Sequence, residues 1–328
     1  MREDTSRWVP FEKPLMELER QIAELERFTA AQGIDRSKEI RALRQRHSAL
    51  LEQIYANLSP WDKVLLARHP SRPYTLDYIG PVFDEFKELH GDRAFGDDQA
   101  MIAGLATLDG KAVAVVGHQK GRDVRERQQR NFGCAKPEGY RKALRVMRLA
   151  EKFRRPVISF VDTPAAESRE EAEGRGIAES IARNMATMSS LRVPIIVAII
   201  GEGGSGGAIG IGVGDLVLML EHSIYSVIPP EGCAAILSTF GTDASRAPEA
   251  AHALRLTAQD ALKLGVVDEV IPEPLGGAHR DPALTAERVK EALLRSLSTL
   301  SRGSVKDLVE ARYQKFRRIG VFGQPEPL

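Results

Sequence analysis

The feature that most constrains the fold of this chain is residues 193–215, where the apolar run VPIIVAII continues directly into GEGGSGGAIGIGVGD. A short apolar run with several β-branched residues, bounded by glycine, is typical of a buried strand. Each glycine weakens a regular element by about 0.5–1 kcal/mol, but a residue without a Cβ lets the backbone approach a ligand closely. The pattern therefore predicts a buried strand that ends where the protein requires bare backbone.

A dinucleotide-binding loop is one structure that this glycine stretch could form. GEGGSG at 201–206 matches G-x-G-x-x-G and follows a predicted strand, as that motif requires. The helix that should follow would be short and would contain Gly210, Gly212 and Gly214, each costing about 1 kcal/mol relative to alanine. No second mononucleotide-binding half follows, and no Gly-Lys-Ser/Thr follows to form a P-loop. These observations argue against a dinucleotide site.

Two other interpretations remain for the glycines. Tight packing of a helix against a strand accounts for the glycines at 210–214 better than for those at 203–207. Alternatively, a helix that starts near Gly206 and Gly207 presents N–H groups without intrahelical acceptors, together with the positive end of its dipole. Two such groups aimed at a carbonyl oxygen form an oxyanion hole, in which each donor is worth about 2.7–4 kcal/mol.

From about residue 75 onwards, short apolar segments alternate with helical patterns, which predicts an α/β fold. The segments 102–108 and 112–117 flank the turn Asp109–Gly110, so they predict a β-hairpin in front of a helix. We therefore expect β-β-α units rather than the strict β-α-β alternation of a doubly wound sheet. The predicted strands are MIAGLATL, KAVAVVGH, PVISFVD, PIIVAII, DLVLML and IYSVI, and the predicted helices include KALRVMRLAEKF, AESIARNMATMSSL and TAQDALKLG.

The N-terminal region differs from the rest, because two amphipathic helical patterns lie on either side of the sequence AQGID. They predict a helical hairpin that packs either on its own domain or on another subunit. We place this hairpin at 1–60, a larger domain at 61–320 and a tail at 321–328. The apolar residues that define its two faces are Leu15, Leu18, Ile22, Leu25 and Phe28, then Ile40, Leu43, Leu50, Leu51 and Ile54.

Charge and cysteine content exclude several classes of protein. With 46 Lys and Arg against 45 Asp and Glu, the net charge of +1 argues against nucleic-acid binding as the main role. No apolar run is long enough to cross a membrane and no signal-peptide pattern opens the sequence. Cys134 and Cys233 form neither a disulfide framework nor a zinc motif. We therefore expect a cytoplasmic protein with no metal in this chain.

Near the C-terminus, residues 285–318 predict helical structure with a basic end. Cations are favourable at the C-terminus of a helix, so a solvated helix end explains this charge more simply than a binding surface does. The cations concerned are Arg312, Lys315, Arg317 and Arg318.

Several blocks of sequence outside the glycine stretch carry a resemblance to one family. They are LARHPSRPYTLDYI (66–79), GHQKGR (117–122), RNFGCAKPEGYRKALRVM (130–147), YSVIPPEGCAAIL (225–237), EPLGGAHRDP (273–282) and ARYQKF (311–316). Together with 193–215 they resemble, in the same order, the alpha subunit of bacterial acetyl-CoA carboxylase carboxyltransferase. That family belongs to the crotonase superfamily, so the resemblance implies a crotonase-like fold of repeated β-β-α units.

The resemblance also implies a reaction and a set of partners. A carboxyl group would pass from carboxybiotin, carried on a separate biotin carboxyl carrier protein, to acetyl-CoA to give malonyl-CoA, the first committed step of fatty acid biosynthesis. A zinc-ribbon beta subunit would contribute the acyl-CoA side of the site in an α2β2 assembly, with biotin carboxylase in the holoenzyme. The absence of a CxxC pattern from this chain fits that division, since the zinc would belong to the partner.

In such a site, Gly206 and Gly207 are expected to donate backbone N–H groups to the ureido oxyanion of biotin. The biotin nitrogen can then take the proton from the thioester methyl group, so no protein base is required. Four further residues are expected on the cofactor side: Gly203, Gly204, Glu231 and Gly232. The basic segment 118–130 is either a solvated face or a contact with a CoA phosphate or the partner subunit, and His118 is expected to be structural.

One segment departs from the family pattern. Where the family typically has Gly-Ala-Tyr-Pro-Gly beside the active site, this chain has AAESR at 165–169, followed by Glu170 and Glu171. An acidic, helix-favouring segment in that position predicts weaker carboxybiotin turnover, because like charges repel in a partly desolvated site. Two alternative functions therefore stay open: a non-catalytic or regulatory subunit with the same fold, and a free-standing crotonase-type acyl-CoA hydratase or isomerase.

Overall fold

The computed structural model describes residues 9–32 and 35–320. Its first helices, α1 (Lys13–Gln32) and α2 (Ser37–Ala56), pack on each other and confirm the predicted helical hairpin. Part of the predicted turn between them, and the predicted tail at 321–328, lie outside the described residues. The domain boundaries at 60 and 320 stay predictions.

Twelve further helices follow in the described residues. They are α3 (Pro60–Ala67), α4 (Thr75–Val82), α5 (Val124–Gln129), α6 (Pro137–Lys152), α7 (Glu170–Gly174), α8 (Ile177–Ser190), α9 (Ser205–Ile209), α10 (Pro230–Ile236), α11 (Ala247–Ala253), α12 (Ala258–Lys263), α13 (Pro282–Leu300) and α14 (Val305–Arg317).

The strands form one eight-stranded sheet in the order β1-β2-β3-β4-β5-β6-β8, with β7 pairing with the C-terminal end of β5. The first three strands are antiparallel and the remaining pairs are parallel. All six predicted strands are present, whereas β1 and β8 were not predicted. The strands are β1 (Glu85–Glu88), β2 (Met101–Leu108), β3 (Lys111–His118), β4 (Val157–Thr163), β5 (Ile195–Gly204), β6 (Leu216–Leu220), β7 (Ile224–Ser226) and β8 (Glu269–Ile271).

The predicted turn between β2 and β3 is confirmed, and its two residues explain why the hairpin forms. Asp109 and Gly110 both have positive φ, at 49° and 72°. Two consecutive left-handed residues, with glycine second, match the strand twist in a two-residue hairpin. The resulting β2–β3 pair stands directly in front of the segment that leads to α6, as expected for a β-β-α unit.

Two apolar layers sandwich the central strand β5, all ten residues of which are buried. Because side chains alternate along a strand, Ile195, Val197 and Ile199 belong to one core cluster and the residues between them to the other. The first cluster includes buried residues of α6, and the second includes residues of α4 and α13. The glycine-rich stretch therefore begins at the C-terminal end of a strand that the core holds on both faces.

The N-terminal hairpin contacts the rest of the chain mainly near its base. Leu15 and Leu18 of α1 are buried, whereas α2 has no buried residue. The apolar residues of α2, such as Leu43 and Ile54, are half-buried. The two interpretations of the hairpin, packing on its own domain or on another subunit, both remain open for its outer part.

A buried carboxylate anchors the base of this hairpin. Glu12, fully buried, accepts hydrogen bonds from Tyr55 Oη (3.0 Å) and Arg280 Nε (2.9 Å), and Arg280 also donates to Glu19 Oε1 (2.7 Å). Burial would raise the pKa of the Glu12 carboxyl, but the adjoining His279 and Arg280 outweigh it and lower that pKa to about 2. The anchor is therefore ionised throughout the physiological range.

The basic end of the C-terminal helix is only partly a solvated surface, so that expectation is wrong for Arg312 and for Lys315, which pairs with Asp268. Arg312 is 1% exposed and forms an ion pair with Asp215 at 2.8 Å. It also donates to the carbonyl oxygen of Met188, in the last turn of α8, and to those of Leu191 and Val193, which follow that helix. Arg312 thus connects α14 to the turns before β5 and β6. Its charge is buried and paired with Asp215 rather than exposed to solvent.

Replacing Glu12 with glutamine should destabilise the docking of the hairpin by about 3 kcal/mol, because it leaves a buried charge without its partner. Exposed Glu24→Gln on α1 is the matched control. The contribution of the Glu12 carboxylate to the free energy of unfolding is complete above pH 4.5, the pKa of this carboxyl in the unfolded chain. It should vanish as the pH falls through about 2, the pKa in the folded chain. Hydrogen exchange of α1 and α2, with urea unfolding across this pH range, measures it. Equal behaviour of the two variants would contradict the assignment.

Candidate active site

The strand β5 ends in Gly203 and Gly204, and the one-turn helix α9 starts at once. Ser205, which joins them, has φ of +48° although it is not glycine. A non-glycine residue in the left-handed region costs of order 1 kcal/mol or more, and such strain clusters at functional sites. The predicted helix start near Gly206 is confirmed, and the turn that leads into it is strained.

Three glycines of this turn are required by packing. A Cβ on Gly203 would lie 2.7 Å from the Tyr225 ring, and one on Gly207 would lie 2.5 Å from the carbonyl carbon of Ala165. A Cβ on Gly204 would collide with the carbonyl group of Pro164. The expectation that packing explains these positions poorly is therefore wrong: β7 lies directly against Gly203, and the loop after β4 lies directly against Gly204 and Gly207.

Gly206 differs from its neighbours. A Cβ there would have only the Ile181 Cδ1 atom within 4 Å, at 3.6 Å, which is an ordinary van der Waals distance. The residue is half-buried, and its φ is not in the left-handed region. Neither packing nor backbone conformation requires glycine at 206, so the open space beside it is available to a ligand.

The N–H groups at the start of α9 are the donors that this turn can offer. The first N–H groups of a helix have no intrahelical acceptor. Within residues 9–32 and 35–320, no acceptor in another element is found for the N–H of Gly206 or Gly207. The carbonyl of Gly207 is held by the hydroxyl of buried Tyr140 at 3.1 Å, which limits rotation of the turn. The geometry suits stabilisation of a negatively charged oxygen.

His118 lies buried beside this turn. Burial, with the nearby charge of Lys120, lowers the pKa of the His118 ring to about 3. The ring is therefore neutral at physiological pH and a poor proton acceptor. This agrees with the expectation that His118 is structural.

A network of alternating positive and negative side chains surrounds Glu202, near the C-terminal end of β5. Lys120 Nζ contacts Asp162 (2.7 Å) and Glu202 (2.8 Å), Arg68 Nε contacts Glu202 (2.7 Å), and Arg68 also pairs with Glu231 at 2.5 Å. Burial raises the pKa of the Asp162 carboxyl despite the charge of Lys120. For Glu202 the opposite holds, since the charges of Lys120 and Arg68 outweigh burial and lower its pKa.

This network corrects the interpretation of the basic segment 118–130. Lys120 does not lie on a solvated face: its side chain is 12% exposed and pairs with Asp162 and Glu202 next to the candidate site. Arg122 pairs with Asp77, and Arg130 pairs with Glu126 at 2.9 Å. Most of the cations that could have contacted a CoA phosphate or the partner subunit are therefore paired with carboxylates of this chain.

Two of the predicted segments meet in a small crevice. Gly203 and Gly204 line it together with Pro229 and Pro230, at the start of α10. Glu231 is the next residue, and its carboxylate is held by Arg68. Gly232 lies one residue further into α10, where a Cβ would be 3.3 Å from Ile228. The structure thus brings the end of β5 and the start of α10 to one place, as the site prediction requires.

The acidic segment after β4 folds against the glycine turn. Glu167, 8% exposed, accepts hydrogen bonds from Asn131 Nδ2 (2.6 Å) and the Arg169 guanidinium (2.7 Å). The hydrogen bond from Arg169 is the main cause that lowers the pKa of Glu167 to about 2. Glu170 and Glu171 are exposed in α7, which agrees with the helix-favouring composition of this segment. The charge of Glu167 is therefore compensated by Arg169.

Sequence reasoning missed three residues that shape this site: Arg68, Lys120 and Tyr140. All three lie in blocks that resemble the family, which is the signal that marked their segments but not their roles. Their contacts join residues 42 or more positions apart in the chain, from Lys120 with Asp162 to Arg68 with Glu231. Local patterns carry no information on such contacts.

Among the described residues, one group of side chains has the composition of a metal site: Glu12, His69 and His279. His69 Nδ1 accepts a hydrogen bond from the Ser71 N–H at 3.1 Å. A neutral imidazole that accepts at Nδ1 carries its proton on Nε2, so this ring has no further lone pair for a metal. The arrangement fits the hairpin anchor better than it fits a cation.

Comparison with known proteins adds a sequence relationship over nearly the whole chain. A family model described as "Acetyl co-enzyme A carboxylase carboxyltransferase-like" matches residues 8–320. The chain is 55% identical over 314 residues to the acetyl-coenzyme A carboxylase carboxyl transferase subunit alpha of Geobacter metallireducens, covering 96% of this chain and 98% of that protein. The corresponding subunit of Thermus thermophilus is 54% identical over 315 residues, covering 96% and 99%.

Solved structures support the fold. The chain is similar to the transcarboxylase 12S core with a TM-score of 0.56 and 20% identity, over 70% of this chain and 42% of that one. It is also similar to a chain of a Pseudomonas malonate decarboxylase hetero-tetramer in complex with coenzyme A, with a TM-score of 0.58 and 16% identity over 74% and 96%. The expected crotonase-like α/β fold is confirmed. No helix in the described ranges is both long and apolar enough to cross a membrane.

The contrast between the glycines predicts unequal effects on stability. Gly204→Ala should destabilise the protein by about 1–3 kcal/mol, because the added methyl group collides with backbone. Gly206→Ala should be neutral or stabilising by up to about 1 kcal/mol, since alanine favours a helix. Gly80→Ala in α4, where a Cβ also meets open space, is the control. Urea unfolding measures all three, and a loss in Gly206→Ala equal to that in Gly204→Ala would refute the assignment of open space at 206.

Proposed function

Since the chain belongs to the family of acetyl-CoA carboxylase carboxyltransferase alpha subunits, we propose that it transfers a carboxyl group from carboxybiotin to acetyl-CoA together with a beta subunit. The product would be malonyl-CoA, and the carboxybiotin would arrive on a separate carrier protein. The single observation that carries the site assignment is Gly206, which neither packing nor backbone conformation requires to be glycine.

When bound, carboxybiotin would supply the carboxyl group, and its ureido group would take the developing negative charge and the substrate proton. The N–H groups of Gly206 and Gly207 would stabilise that charge, because they are fixed before the reaction and need no reorganisation. Ser205 adopts the strained conformation of this turn, and the Tyr140 hydroxyl donates a hydrogen bond to the Gly207 carbonyl. No side chain of this chain is needed as a base, which agrees with the low pKa of His118.

The same site is proposed to bind the biotin side with Gly203, Gly204, Glu231 and Gly232. Their support is the crevice that joins the end of β5 to the start of α10. Arg68 forms ion pairs with Glu202 of β5 and with Glu231 of α10, and these pairs fix the two walls of the crevice relative to each other. In this proposal Glu231 acts through its position and its ion pair, since its carboxylate is already engaged by Arg68.

The dependence on a beta subunit is supported by exposed apolar side chains next to this crevice. Val227 is 75% exposed, Ile236 is 69% exposed and Leu237 is 47% exposed, all within one short segment around α10. Large apolar side chains clustered on a surface mark an interaction site. We propose that a zinc-ribbon beta subunit covers this segment in an α2β2 assembly and supplies the acyl-CoA side.

The non-catalytic alternative rests on the segment AAESR at 165–169. Its one buried carboxylate, Glu167, is compensated by Arg169 and Asn131, so the expected repulsion with a biotin oxyanion is reduced. This observation favours a catalytic subunit with a rebuilt loop over a non-catalytic one. An assay of the wild-type chain with its beta subunit separates the two, because a non-catalytic subunit assembles without turnover.

Blocking the space beside residue 206 should abolish most of the activity. Gly206→Val is expected to lower turnover by about 10²-fold or more, as the loss of an oxyanion donor does, with Gly206→Ala intermediate. Gly80→Ala is again the control. The measurement is decarboxylation of malonyl-CoA in the presence of biotin and the beta subunit. Full turnover in Gly206→Val, with the fold intact, would exclude this turn as the oxyanion site.

A charge in the exposed apolar segment should weaken assembly without unfolding the chain. Ile236→Asp is expected to raise the dissociation constant for the beta subunit at least 10-fold, because a charged group would be buried without a partner. Leu264→Asp is the control, since Leu264 is 50% exposed and follows α12. Analytical ultracentrifugation of the mixed subunits reports assembly. Equal affinities of the two variants would place the partner elsewhere.

A further inference from the structure

A second cleft lies at the end of the sheet opposite the glycine turn. It has a volume of about 1000 Å³, and its walls are the turn before β3, the end of α6, the segments before β4 and β5, and the turn between α13 and α14. The ten residues of β5 separate it from Gly204 by about 30 Å at the usual rise of a strand. It is therefore distinct from the site proposed for carboxyl transfer.

The cleft is strongly cationic. It is lined by one carboxylate, Glu151, and by five cations: Lys111, Lys152, Arg154, Arg155 and Arg192. Only Arg192 has a carboxylate partner, Glu151 at 3.0 Å; the other four have none within 4.0 Å in the ranges 9–32 and 35–320. Because the whole chain has a net charge of only +1, this excess is local. Like charges gathered in a cleft repel each other, and a bound anion would relieve that repulsion.

The cations come from separate elements, so no single helix end accounts for them. Lys111 starts β3, Lys152 ends α6, Arg154 and Arg155 precede β4, and Arg192 precedes β5. A helix C-terminus favours cations within its last turn, which explains Lys152 alone. The fold has gathered the remaining charge around one cavity from strands and turns far apart in the sequence.

The backbone at Arg154 fixes one edge of this cleft. Its φ is +54°, a conformation that glycine adopts without strain and arginine does not. The N–H groups of Arg154 and Arg155 donate to the carbonyl oxygens of Glu151 (3.0 Å) and Ala150 (2.8 Å), so both residues are fixed at the edge of the cleft. These two bonds form the Schellman motif that ends α6, so the positive φ belongs to the helix end, and the motif sets where the two arginines leave the backbone.

One wall of the cleft is apolar and determines the class of ligand. Leu300, Leu308 and the half-exposed Val305 line it beside the cationic residues. Arginine recognises phosphate through paired hydrogen bonds, and the volume matches that of small-molecule sites. We propose that this cleft binds a small polyphosphate that carries a flat aromatic ring, such as a nucleoside triphosphate. The phosphates would lie on the cations and the ring would lie on the apolar wall.

Calorimetric titration of the full chain in complex with its beta subunit tests this proposal, with ATP and inorganic tripolyphosphate as probes. Both should bind, and ATP should bind more tightly because its ring packs on the apolar wall; equal affinities would overturn the assignment of a ligand with a ring. A change from 50 to 200 mM salt should weaken both, since charge drives binding. The double variant Arg154→Glu, Arg155→Glu should lose at least 10-fold in affinity. The control double variant Lys38→Glu, Arg46→Glu carries the same change of charge on exposed residues of α2 and should bind as the wild type does.

A second variant guards against misfolding. Arg154→Gly removes one cation and also suits the positive φ, so it should fold at least as well as the wild type and bind both probes about 3- to 10-fold more weakly. Absence of binding to the wild type at millimolar concentration would overturn the proposal, as would unchanged affinity in both cleft variants. This outcome is independent of turnover at Gly206, so either proposal can fail without the other.

Discussion

The steric constraint on which the candidate site depends is the close approach of two backbone segments at the end of β5. The carbonyl group of Pro164 occupies the space where a Cβ of Gly204 would lie, and the carbonyl carbon of Ala165 does the same for Gly207. The loop after β4 can therefore rest directly on the start of α9. This contact holds the turn at Ser205 in its strained conformation and leaves Gly206 as the position that faces open space.

Buried ion pairs keep the N-terminal part of the main domain against the same end of the sheet. Arg72, with no exposed surface, pairs with Glu273, and it donates to the Ile200 carbonyl (2.8 Å) and to Ser223 Oγ (3.1 Å). Burial opposes the ionisation of Glu273, but the charge of Arg72 outweighs it and lowers the pKa of that carboxyl to about 2. Four residues earlier, Arg68 joins Glu202 to Glu231. Removing one member of such a pair is costly because the other remains buried and charged.

The two ends of the parallel strands have different chemistry. At their C-terminal ends, backbone N–H groups and paired charges surround a small crevice, which suits a reaction in which negative charge develops and then disappears. At their N-terminal ends, four cations have no carboxylate partner in the described part of the chain and line a wide cleft, which suits an anion that binds and stays charged. The crotonase-like sheet keeps these two sites apart, because its central strands are rigid and buried on both faces.

The sequence by itself determined the α/β class, six of the eight strand segments, the N-terminal hairpin and the turn after β5. These features depend on the local periodicity of apolar residues and on the conformational freedom of glycine, and both can be recognised from residues that are close together in the sequence. Through its resemblance to one family, the sequence also indicated the reaction and marked Gly206 as a candidate. The strands β1 and β8 were missed. The sequence of β1, EFKE, has one apolar residue among three charged ones, and that of β8, EVI, begins with a charged residue, so neither shows the pattern of a buried strand.

Only the tertiary structure decided which glycines packing requires, because Pro164 and Ala165 lie about 40 residues from Gly204 and Gly207 in the chain. It also decided that Lys120 and Arg312 are buried in ion pairs rather than solvated, and that Asn131 donates a hydrogen bond to Glu167. The cationic cleft likewise gathers residues from 111 to 308 around one cavity. In each case the contact joins distant segments, so its energy depends on three-dimensional proximity that no local pattern of residues records.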